Sequence, residues 1–586
     1  MKSLGVGHEE GLEEAAQLHA VQDRQRVSVS ADRPLQSGAD LTVDVLRHEG
    51  VTHVFGLPGT TIMNLLDAFA RQSDIRYLST RHEQVAAFMA DGFARASGRV
   101  GVCLASRGPG AANMAIAVHN AYAESIPVLA VIGQVPDALY WRDAFEEMDL
   151  LTFFTPLTKW AVEVHEVERI PELLQRAIRT TEGGRPRPVM VSLPLDVQQS
   201  PAPPDVDLQP VFRHRHPVPD PRDIAEAAAL LAGARRPVII AGGGASAAAQ
   251  ELLAFAELLS APLVTTWLRK GAVANDAATF MGSLGYGAFD VTERTVTEAD
   301  VILSVGCRFD EFTSKRWTLL PPKAALISID VDPDEIGRVY VPRIGLPGDA
   351  RATLTSLTSN LTPRPSGPAA KQRTRRLAAF RAEYVTGLRL EPDGQQTPVP
   401  SAALVKHLTA GIDRHDAILV QDVHTFGPWI HRYLPMRRPG RYFAAAGGSM
   451  GWGFPAALGV QLARPTERVV CVAGDGSFWM VAQDLETAVR EDIPVVVVVV
   501  NNFAYGNTRD RQRTAHSGRH LGVFHTNPDF AAFAKLLGAY GERVERADDF
   551  PAALDRAIAS GLPAVLDVIQ NQSEGLPADL LPPAAS

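Results

Sequence analysis

The chain contains little cysteine, and its three cysteines lie far apart in apolar, strand-like segments. Cys103, Cys307 and Cys471 show neither a metal-ligand spacing nor the pattern of a disulfide framework. The sequence also lacks any uninterrupted apolar run of the roughly 18 residues that cross a bilayer. These absences predict buried cysteines without chemistry, a cytoplasmic location and no membrane role.

An excess of basic residues is also missing. The 57 Lys and Arg residues are outnumbered by 66 Asp and Glu residues, giving a net charge of −9. This balance argues against binding to nucleic acid or to an anionic membrane surface. Residues 1–35 are polar and partly acidic without a hydrophobic centre, so we expect a flexible tail rather than a targeting signal.

What the chain does contain is a regular alternation of apolar, strand-like runs with helical patterns, in three blocks. The blocks cover residues 36–204, 220–361 and 398–575. Proline-rich linkers at 205–219 and 362–397 separate them, the second including a helix, and 576–586 form a C-terminal tail. The pattern predicts an α/β protein with three doubly wound parallel-sheet domains. The first and third blocks could be distant duplicates, which the sequence leaves open.

Residues 474–502 read GDGSFWMVAQDLETAVREDIPVVVVVVNN. Two strand-like runs, the second containing Val495 to Val500, flank a helical segment, as in one parallel βαβ unit. Ligands bind beyond the carboxyl ends of such strands, so Asp475 and Asn502 should lie side by side there. Their oxygens suit Mg²⁺ that also holds phosphate oxygens. The segment therefore predicts a metal site that binds a diphosphate.

This segment resembles the metal-diphosphate motif of thiamine diphosphate (ThDP) enzymes. Residues 81–136, beginning RHEQVAAFMADGFARASGRVGVCLASRGPG, resemble the pyrimidine-binding domain of acetolactate synthase and its relatives. The resemblance covers roughly residues 37–575 and implies ThDP and Mg²⁺, with the Ala504 backbone carbonyl as a third metal ligand beside Asp475 and Asn502. The other residues implied to contact ThDP are Gly59, His424, Gly448, Met450, Gly474, Gly476 and Ser477.

Glu83 matches the glutamate that activates ThDP in this family. A carboxyl group hydrogen-bonded to the pyrimidine ring stabilises the imino tautomer, whose exocyclic nitrogen then removes the thiazolium proton intramolecularly. Met450 matches the apolar residue that bends the cofactor for this transfer. The resemblance places the glutamate and the diphosphate site on different subunits, which implies a homodimer or homotetramer with active sites at the interface. No regulatory subunit is identified by the sequence.

The central block resembles the FAD-binding domain of acetolactate synthases, where FAD has a structural role. Glycines and aspartates after strands also occur in any α/β domain, and the usual GMHG segment reads GSLG at 282–285, so the sequence leaves FAD binding open. The residues matching FAD contacts are Arg185, Gly243, Gly306, Arg308, Asp310, Asp330 and Asp349.

The predicted substrate pocket is where the chain departs from acetolactate synthases. Phe145 and Lys159 match the family, but Glu146 replaces a usual glutamine. Asn507 and Arg511 replace a methionine and a tryptophan of the acceptor pocket. Arg511 could bind a carboxylate or phosphate, or the segment could be a solvated loop. A strict preference for a small apolar acceptor is therefore not supported.

These features predict decarboxylation of a 2-oxo acid, pyruvate or a close relative, followed by ligation to a second carbonyl. Two alternatives remain open at this stage. The first is a non-ligating decarboxylase or a C–C bond hydrolase or lyase acting on a larger or polar ketone. The second is a non-catalytic ThDP-binding regulatory protein, against which the presence of Glu83 argues.

Overall fold

The computed structural model describes residues 36–204, 206, 208–214, 217–361, 366–391, 394 and 396–577. The predicted flexible tail at 1–35 and residues 578–586 of the predicted C-terminal tail lie outside this part of the chain. The described residues form three six-stranded sheets in which all paired strands are parallel, with helices between most successive strands. The predicted α/β class with three parallel sheets is confirmed.

The N-terminal sheet has the strand order β2-β1-β3-β4-β6-β5. Its strands are β1 His53–Gly56, β2 Arg76–Ser79, β3 Gly101–Ser106, β4 Val128–Gln134, β5 Trp160–Glu163 and β6 Val189–Pro194. Its helices are α1 Gly38–His48, α2 Met63–Ala70, α3 Glu83–Ser97, α4 Arg107–Glu124, α5 Leu150–Phe154, α6 Ile170–Glu182 and α7 Leu195–Gln199. Both central strands, β3 and β4, are almost entirely buried, as expected where helices cover the two faces of a parallel sheet.

The central sheet has the order β12-β11-β10-β7-β8-β9, in which the strand order reverses between β7 and β10. Its strands are β7 Pro237–Ala241, β8 Leu263–Thr265, β9 Phe280–Ser283, β10 Val301–Val305, β11 Ala325–Asp330 and β12 Ile344–Pro347. Its helices are α8 Pro221–Gly233, α9 Ala249–Leu259, α10 Asp290–Thr297 and α11 Ala350–Asn360, and α12 Gly367–Gly387 follows within the second predicted linker. Such a reversal point is where doubly wound sheets bind ligands.

The C-terminal sheet has the order β14-β13-β15-β16-β18-β17. Its strands are β13 Ile418–Gln421, β14 Tyr442–Ala444, β15 Val469–Gly474, β16 Val496–Asn501, β17 Tyr540–Val544 and β18 Ala564–Ile569. Its helices are α13 Ser401–His415, α14 Gly427–Tyr433, α15 Gly453–Ala463, α16 Asp475–Trp479, α17 Leu485–Arg490, α18 Gly506–Ala515, α19 Phe530–Leu536 and α20 Phe550–Ala559. When the strands of each sheet are numbered from its first strand, the N-terminal and C-terminal sheets have the same order, 2-1-3-4-6-5.

The N-terminal and C-terminal sheets share one hydrophobic core across helices α3 and α15. A Cβ atom added at Gly92 would overlap the backbone of Ala456, and one at Gly459 would overlap the backbone of Met89. The absence of side chains at these glycines lets the two helix backbones approach closely. The packing fixes the position of Glu83, the first residue of α3, relative to the C-terminal sheet.

The three cysteines are free and buried, as predicted. Burial raises the pKa of each thiol, so each is held as an unreactive thiol. Among the helices that the structure describes, none has the length and apolar content needed for a bilayer crossing.

Candidate active site

The carboxyl ends of β15 and β16 bring the two predicted metal ligands to one edge of the C-terminal sheet. The strands pair in register from Val470 with Val496 to Gly474 with Val500, so Asp475 and Asn502 each follow a paired strand end. Both side chains are buried, with exposed fractions of 2% and 4%. This is the adjacency that the sequence predicted from a parallel βαβ unit.

Two residues that the sequence analysis missed complete this edge. The Nδ2 atom of Asn527 donates to Asp475 Oδ2 at 2.7 Å and to Asn501 Oδ1 at 2.8 Å, bridging the two strand ends. His525 Nε2 lies 3.1 Å from Asp475 Oδ2. Burial raises the pKa of Asp475, although the contacts with Asn527 and His525 oppose the rise. A cation at this carboxylate would favour the ionised form.

The loop after Asn502 is held by an isolated antiparallel bridge between Ala504 and Phe524. The Ala504 amide donates to Asn502 Oδ1 at 3.2 Å, which fixes the orientation of the side-chain amide. A Cβ atom at Gly476 would lie 2.5 Å from Cε1 of Tyr505. Glycine at position 476 therefore lets the loop pack directly on the turn that carries Asp475.

His424 follows β13 and lies at the same edge. A Cβ atom added at Gly474 would lie 2.9 Å from the Cβ atom of His424. Both ring nitrogens of His424 are buried without a hydrogen-bond partner. Burial lowers the pKa of His424 to about 3, so the ring is neutral and has one N–H to donate. The Ser477 hydroxyl instead donates to the Val423 carbonyl at 2.8 Å, so its proton is already used within the protein.

The segment with Gly448 and Met450 connects β14 to α15. Gly448 is exposed and has φ of 77°, a left-handed conformation that favours glycine, and Met450 is half-buried. Next to them, a Cβ atom at Gly451 would lie 3.5 Å from Nε2 of Gln84 in α3. The segment therefore runs between the C-terminal sheet and the start of α3.

Glu83 is 8% exposed and begins α3 after the N-cap residue His82. Asn113 Nδ2 donates to Glu83 Oε2 at 3.0 Å, and a Cβ atom at Gly110 would lie 3.1 Å from Oε1. The carboxyl group is thus oriented by one side-chain amide, and glycine leaves space on its other oxygen. Gly59 lies at the neighbouring strand ends, where an added Cβ would overlap Ser106.

The predicted substrate-pocket residues Phe145 and Glu146 lie beside Arg107, which the sequence analysis did not single out. The Arg107 guanidinium lies 5.7 Å from the Phe145 ring centroid, and its Nη1 lies 3.8 Å from Glu146 Oε2. Phe145 is 75% exposed. Glu146 is therefore a paired carboxylate rather than an isolated one.

Lys159, which was also predicted for the substrate pocket, makes its hydrogen bonds elsewhere, and its place in that pocket stays a prediction. Its ammonium donates to the carbonyls of Gly183 and, at 3.0 Å, of Arg185. Lys159 immediately precedes β5, at the amino end of a strand, whereas Glu83 follows the carboxyl end of β2. In a parallel sheet these ends lie on opposite edges.

Asn507 and Arg511 lie on helix α18 rather than on an irregular loop. Arg509 and Asp510 are buried and form an ion pair at 2.9 Å, and Arg509 Nη2 donates to the Glu574 carbonyl at 2.8 Å. Asn507 and Arg511 are exposed. The buried ion pair anchors a helix that has no apolar face, so the segment is not a loop, although Asn507 and Arg511 are solvent-exposed as that interpretation expected.

The seven residues matched to FAD contacts all line one cavity of about 1050 Å³ between the three domains. Arg185 forms an ion pair with Glu335 at 2.6 Å, and burial raises the pKa of Asp330 to about 6. The cavity is large enough for a dinucleotide. Gly244, which lines the cavity, and the nearby Gly242 pack so closely on Gly306 and Cys307 that added Cβ atoms would meet backbone there.

A buried ionic cluster joins the three domains at the wall of this cavity. Glu124 Oε2 accepts from Arg95 Nη1 at 3.0 Å and from Arg269, and Arg95 also pairs with Asp91 at 2.6 Å. Trp452 Nε1 donates to Asp91 at 2.9 Å, and its ring lies 4.8 Å from the Arg95 guanidinium. The cluster had no recognisable pattern in the sequence, because its four charges come from three separate segments and Trp452 from a fourth.

The comparisons with known proteins agree with this architecture. Residues 36–153, 224–357 and 422–568 match the models of the thiamine pyrophosphate enzyme N-terminal TPP binding domain, central domain and C-terminal TPP binding domain, respectively. The chain is 36% identical over 566 residues to a probable acetolactate synthase large subunit of Methanocaldococcus jannaschii, covering 93% of each chain.

Two further relatives come from a bacterium and a plant. The acetolactate synthase isozyme 2 large subunit of Escherichia coli is 34% identical, with 94% of this chain and 98% of that protein covered. A probable chloroplastic acetolactate synthase 2 of Oryza sativa is 33% identical, with 94% of this chain and 85% of that protein covered. The chain therefore belongs to the thiamine pyrophosphate enzyme family, and within it to the family of acetolactate synthase large subunits.

Proposed function

We propose that this protein is a ThDP- and Mg²⁺-dependent enzyme that decarboxylates pyruvate or a similar 2-oxo acid and joins the remaining acyl unit to a second carbonyl. The observation that carries the proposal is the edge of the C-terminal sheet. There, Asp475 and Asn502 follow paired strand ends, and His424 has two buried ring nitrogens without a partner. Membership of the acetolactate synthase family supports the reaction type.

The residues at this edge fit a metal-bound diphosphate. Asp475 and Asn502 offer the carboxylate and amide oxygens that Mg²⁺ accepts, with the Ala504 carbonyl as a third protein ligand. The N–H of neutral His424 would donate to a phosphate oxygen. A Cβ atom at Gly476 would meet Tyr505, so glycine keeps the turn close to the loop. Ser477 would act through its backbone, since its hydroxyl is bound to Val423.

When bound, ThDP would supply an acidic carbon that is nucleophilic once deprotonated, and a cationic thiazolium ring that takes up the electron pair left by departing CO₂. Glu83 would hold the proton shared with the pyrimidine nitrogen. Asn113 orients the Glu83 carboxyl group through the 3.0 Å hydrogen bond to Oε2, and the space beside Gly110 leaves Oε1 for the cofactor. Met450 and Gly448 would contact the rings.

We further propose a homodimer as the smallest working unit. The Glu83 carboxyl group contacts Asn113 and adjoins Gly110, both of which belong to the N-terminal domain. Large apolar side chains are exposed near both halves of the site, Trp141 and Phe145 in the N-terminal domain and Trp479 and Met480 in the C-terminal domain. Exposed apolar patches of this kind favour coverage by a partner, here a second copy of the chain.

We also propose that FAD occupies the three-domain cavity in a structural role. The seven matched residues line that cavity, and its volume suits a dinucleotide. A flavin absorbance band in the purified protein would support this assignment, and a colourless protein that does not bind added FAD would contradict it. A cytoplasmic location is proposed on the basis of the three free cysteines.

The test is a product assay on the purified full chain with ThDP, Mg²⁺ and pyruvate. We expect CO₂ release together with acetolactate, detected as acetoin after acid treatment. Acetaldehyde alone would replace the proposal with a non-ligating decarboxylase. No CO₂ from pyruvate or from a panel of other 2-oxo acids, with ThDP demonstrably bound, would refute the proposal.

A further inference from the structure

Helix α18 carries an arginine, Arg511, that has no ion-pair partner in the part of the chain that the structure describes. Arg509 pairs with Asp510 at 2.9 Å, and Arg513 lies 3.5 Å from the same carboxylate. Arg511 forms no ion pair among the residues that the structure describes. Arg511 is exposed, so its guanidinium is accessible to an anionic ligand.

The orientation of α18 is fixed by its buried side. Arg509 is 4% exposed and Asp510 is 3% exposed, and Arg509 Nη2 donates to the Glu574 carbonyl. A Cβ atom at Gly575 would lie 2.9 Å from Asp510 Oδ2, so the C-terminal segment packs closely on this side. Asn507 and Arg511, four residues apart, share the remaining exposed face.

That face adjoins the proposed cofactor site. Gly506, the first residue of α18, lies so close to Thr425 and Asn502 that an added Cβ would lie 3.1 Å from Asn502 Nδ2. Arg511 lies five residues further, about 8 Å along the helix axis. Arg511 is also near the half-buried Tyr286 of the central domain. Burial raises the pKa of Tyr286, and the Arg511 charge opposes part of that rise. Arg511 therefore lies beside the cleft between the C-terminal and central domains.

Glu146, the other substituted residue of the predicted pocket, does not compensate the Arg511 charge among the described residues. The Glu146 carboxylate lies 3.8 Å from Arg107 Nη1, and the two groups compensate each other. The predicted pocket residues Glu146 and Arg511, taken with the Arg107 that pairs with Glu146, sum to one positive charge. A cation without a partner beside a substrate site favours a substrate that brings the missing anion.

We propose that Arg511 selects an acceptor 2-oxo acid whose side chain carries a second carboxylate, in place of a small alkyl acceptor. This inference rests on the proposed carboligation. In the reaction, the carbon–carboxylate bond of the donor breaks and CO₂ leaves. A bond then forms between the former donor carbonyl carbon and the acceptor carbonyl carbon, whose oxygen takes up a proton. No net oxidation or reduction occurs, and the second carboxylate is unchanged.

The experiment is a competition between two acceptors of equal chain length, with the holoenzyme and pyruvate as donor. 2-Oxoglutarate ends in a carboxylate and 2-oxopentanoate in a methyl group, and the ligated products are quantified by mass spectrometry. Both acceptors draw on the same decarboxylated donor, so their ratio does not depend on the decarboxylation rate. We expect a preference for 2-oxoglutarate of roughly 10- to 100-fold, as for one charged hydrogen-bonded pair.

Arg511→Gln should abolish most of this preference. Arg513→Gln is the matched control, because it removes an arginine from the same helix without altering the exposed face at Asn507 and Arg511. A wild-type preference for 2-oxopentanoate, or an equal loss of preference in both variants, overturns the inference. The double variant Arg511→Gln with Glu146→Gln tests whether Arg511 only neutralises Glu146. If this double variant again prefers 2-oxoglutarate, Arg511 acts by compensating the Glu146 carboxylate, and the inference is wrong.

A binding measurement separates this inference from the proposed function. Calorimetric titration of the ThDP- and Mg²⁺-loaded protein with glutarate or pentanoate requires no turnover. Glutarate should bind more tightly, and Arg511→Gln should remove at least tenfold of that difference. If the protein does not turn over pyruvate but still binds glutarate preferentially through Arg511, only the proposed reaction is refuted. Turnover without any glutarate preference refutes only the role of Arg511.

Discussion

Glu124→Gln should destabilise the protein more than any exposed charge substitution, because Glu124 neutralises arginines from two domains. Its side chain is fully buried, Arg95 is 6% exposed and Arg269 is 18% exposed. With Asp91, the cluster contains two positive and two negative charges. The substitution keeps the shape of the side chain but leaves one buried positive charge without compensation.

The magnitude follows from the pKa of Glu124. Burial alone would raise this pKa, but Arg269 and Arg95 outweigh burial and lower it from 4.5 to about 2. A difference of that size corresponds to about 3 kcal/mol, and breaking one partner of a buried ion pair typically costs about 3–5 kcal/mol. Because the folded pKa is depressed, this stabilisation is complete above pH 4.5 and is lost as the pH falls from 4.5 towards 2.

The assay is scanning calorimetry of the full chain without added cofactor at pH 7, with Glu172→Gln as the matched control. Glu172 pairs with Arg169 on the surface of helix α6, so its substitution should leave the melting temperature unchanged. Glu124→Gln should lower the melting temperature by about 10 °C for a domain of this size. Equal melting temperatures for the two variants would refute the role assigned to the cluster.

Three further outcomes are expected. Glu83→Gln should lower turnover by roughly 100-fold or more while ThDP still binds in calorimetry, and unchanged turnover would contradict the proton-sharing role. Removal of Mg²⁺ with a chelator should abolish ThDP binding and its return should restore it, because the metal would hold the diphosphate at Asp475 and Asn502; equally tight binding with chelator would argue against the metal site. Gly92→Ala should destabilise the protein by about 1–3 kcal/mol because its Cβ would overlap the Ala456 backbone, whereas Gly233→Ala, with open space around it, should not; equal stabilities would contradict the close packing of α3 on α15.

The strand ends of the C-terminal sheet show how far sequence reasoning reached. Two apolar runs around one helical segment predicted a parallel βαβ unit, and β15 and β16 are indeed adjacent and parallel. Because side chains that follow neighbouring parallel strands meet at one edge, the adjacency of Asp475 and Asn502 followed without knowledge of the rest of the fold. His525 and Asn527 could not be predicted in this way, since they reach the same edge from an irregular loop.

Lys159 and helix α18 show the opposite limit. Lys159 is close to Phe145 in the chain, but a strand boundary places it on the other edge of the N-terminal sheet. Helix α18 shows no apolar periodicity, because its inward side is held by the Arg509–Asp510 ion pair instead of by packing of apolar side chains. Periodicity reports only apolar burial, so a helix anchored by charges reads as a loop.

The sequence by itself determined the three-sheet architecture, the strand ends that present Asp475 and Asn502, and the position of Glu83 at the start of a helix. These depend on local patterns of apolar residues and on the geometry that any parallel sheet imposes. Only the tertiary structure decided which charges are compensated: Glu146 by Arg107, Glu124 by Arg95 and Arg269, and Arg511 by no described carboxylate. Electrostatic compensation acts through space between segments far apart in the chain, so no local pattern encodes it.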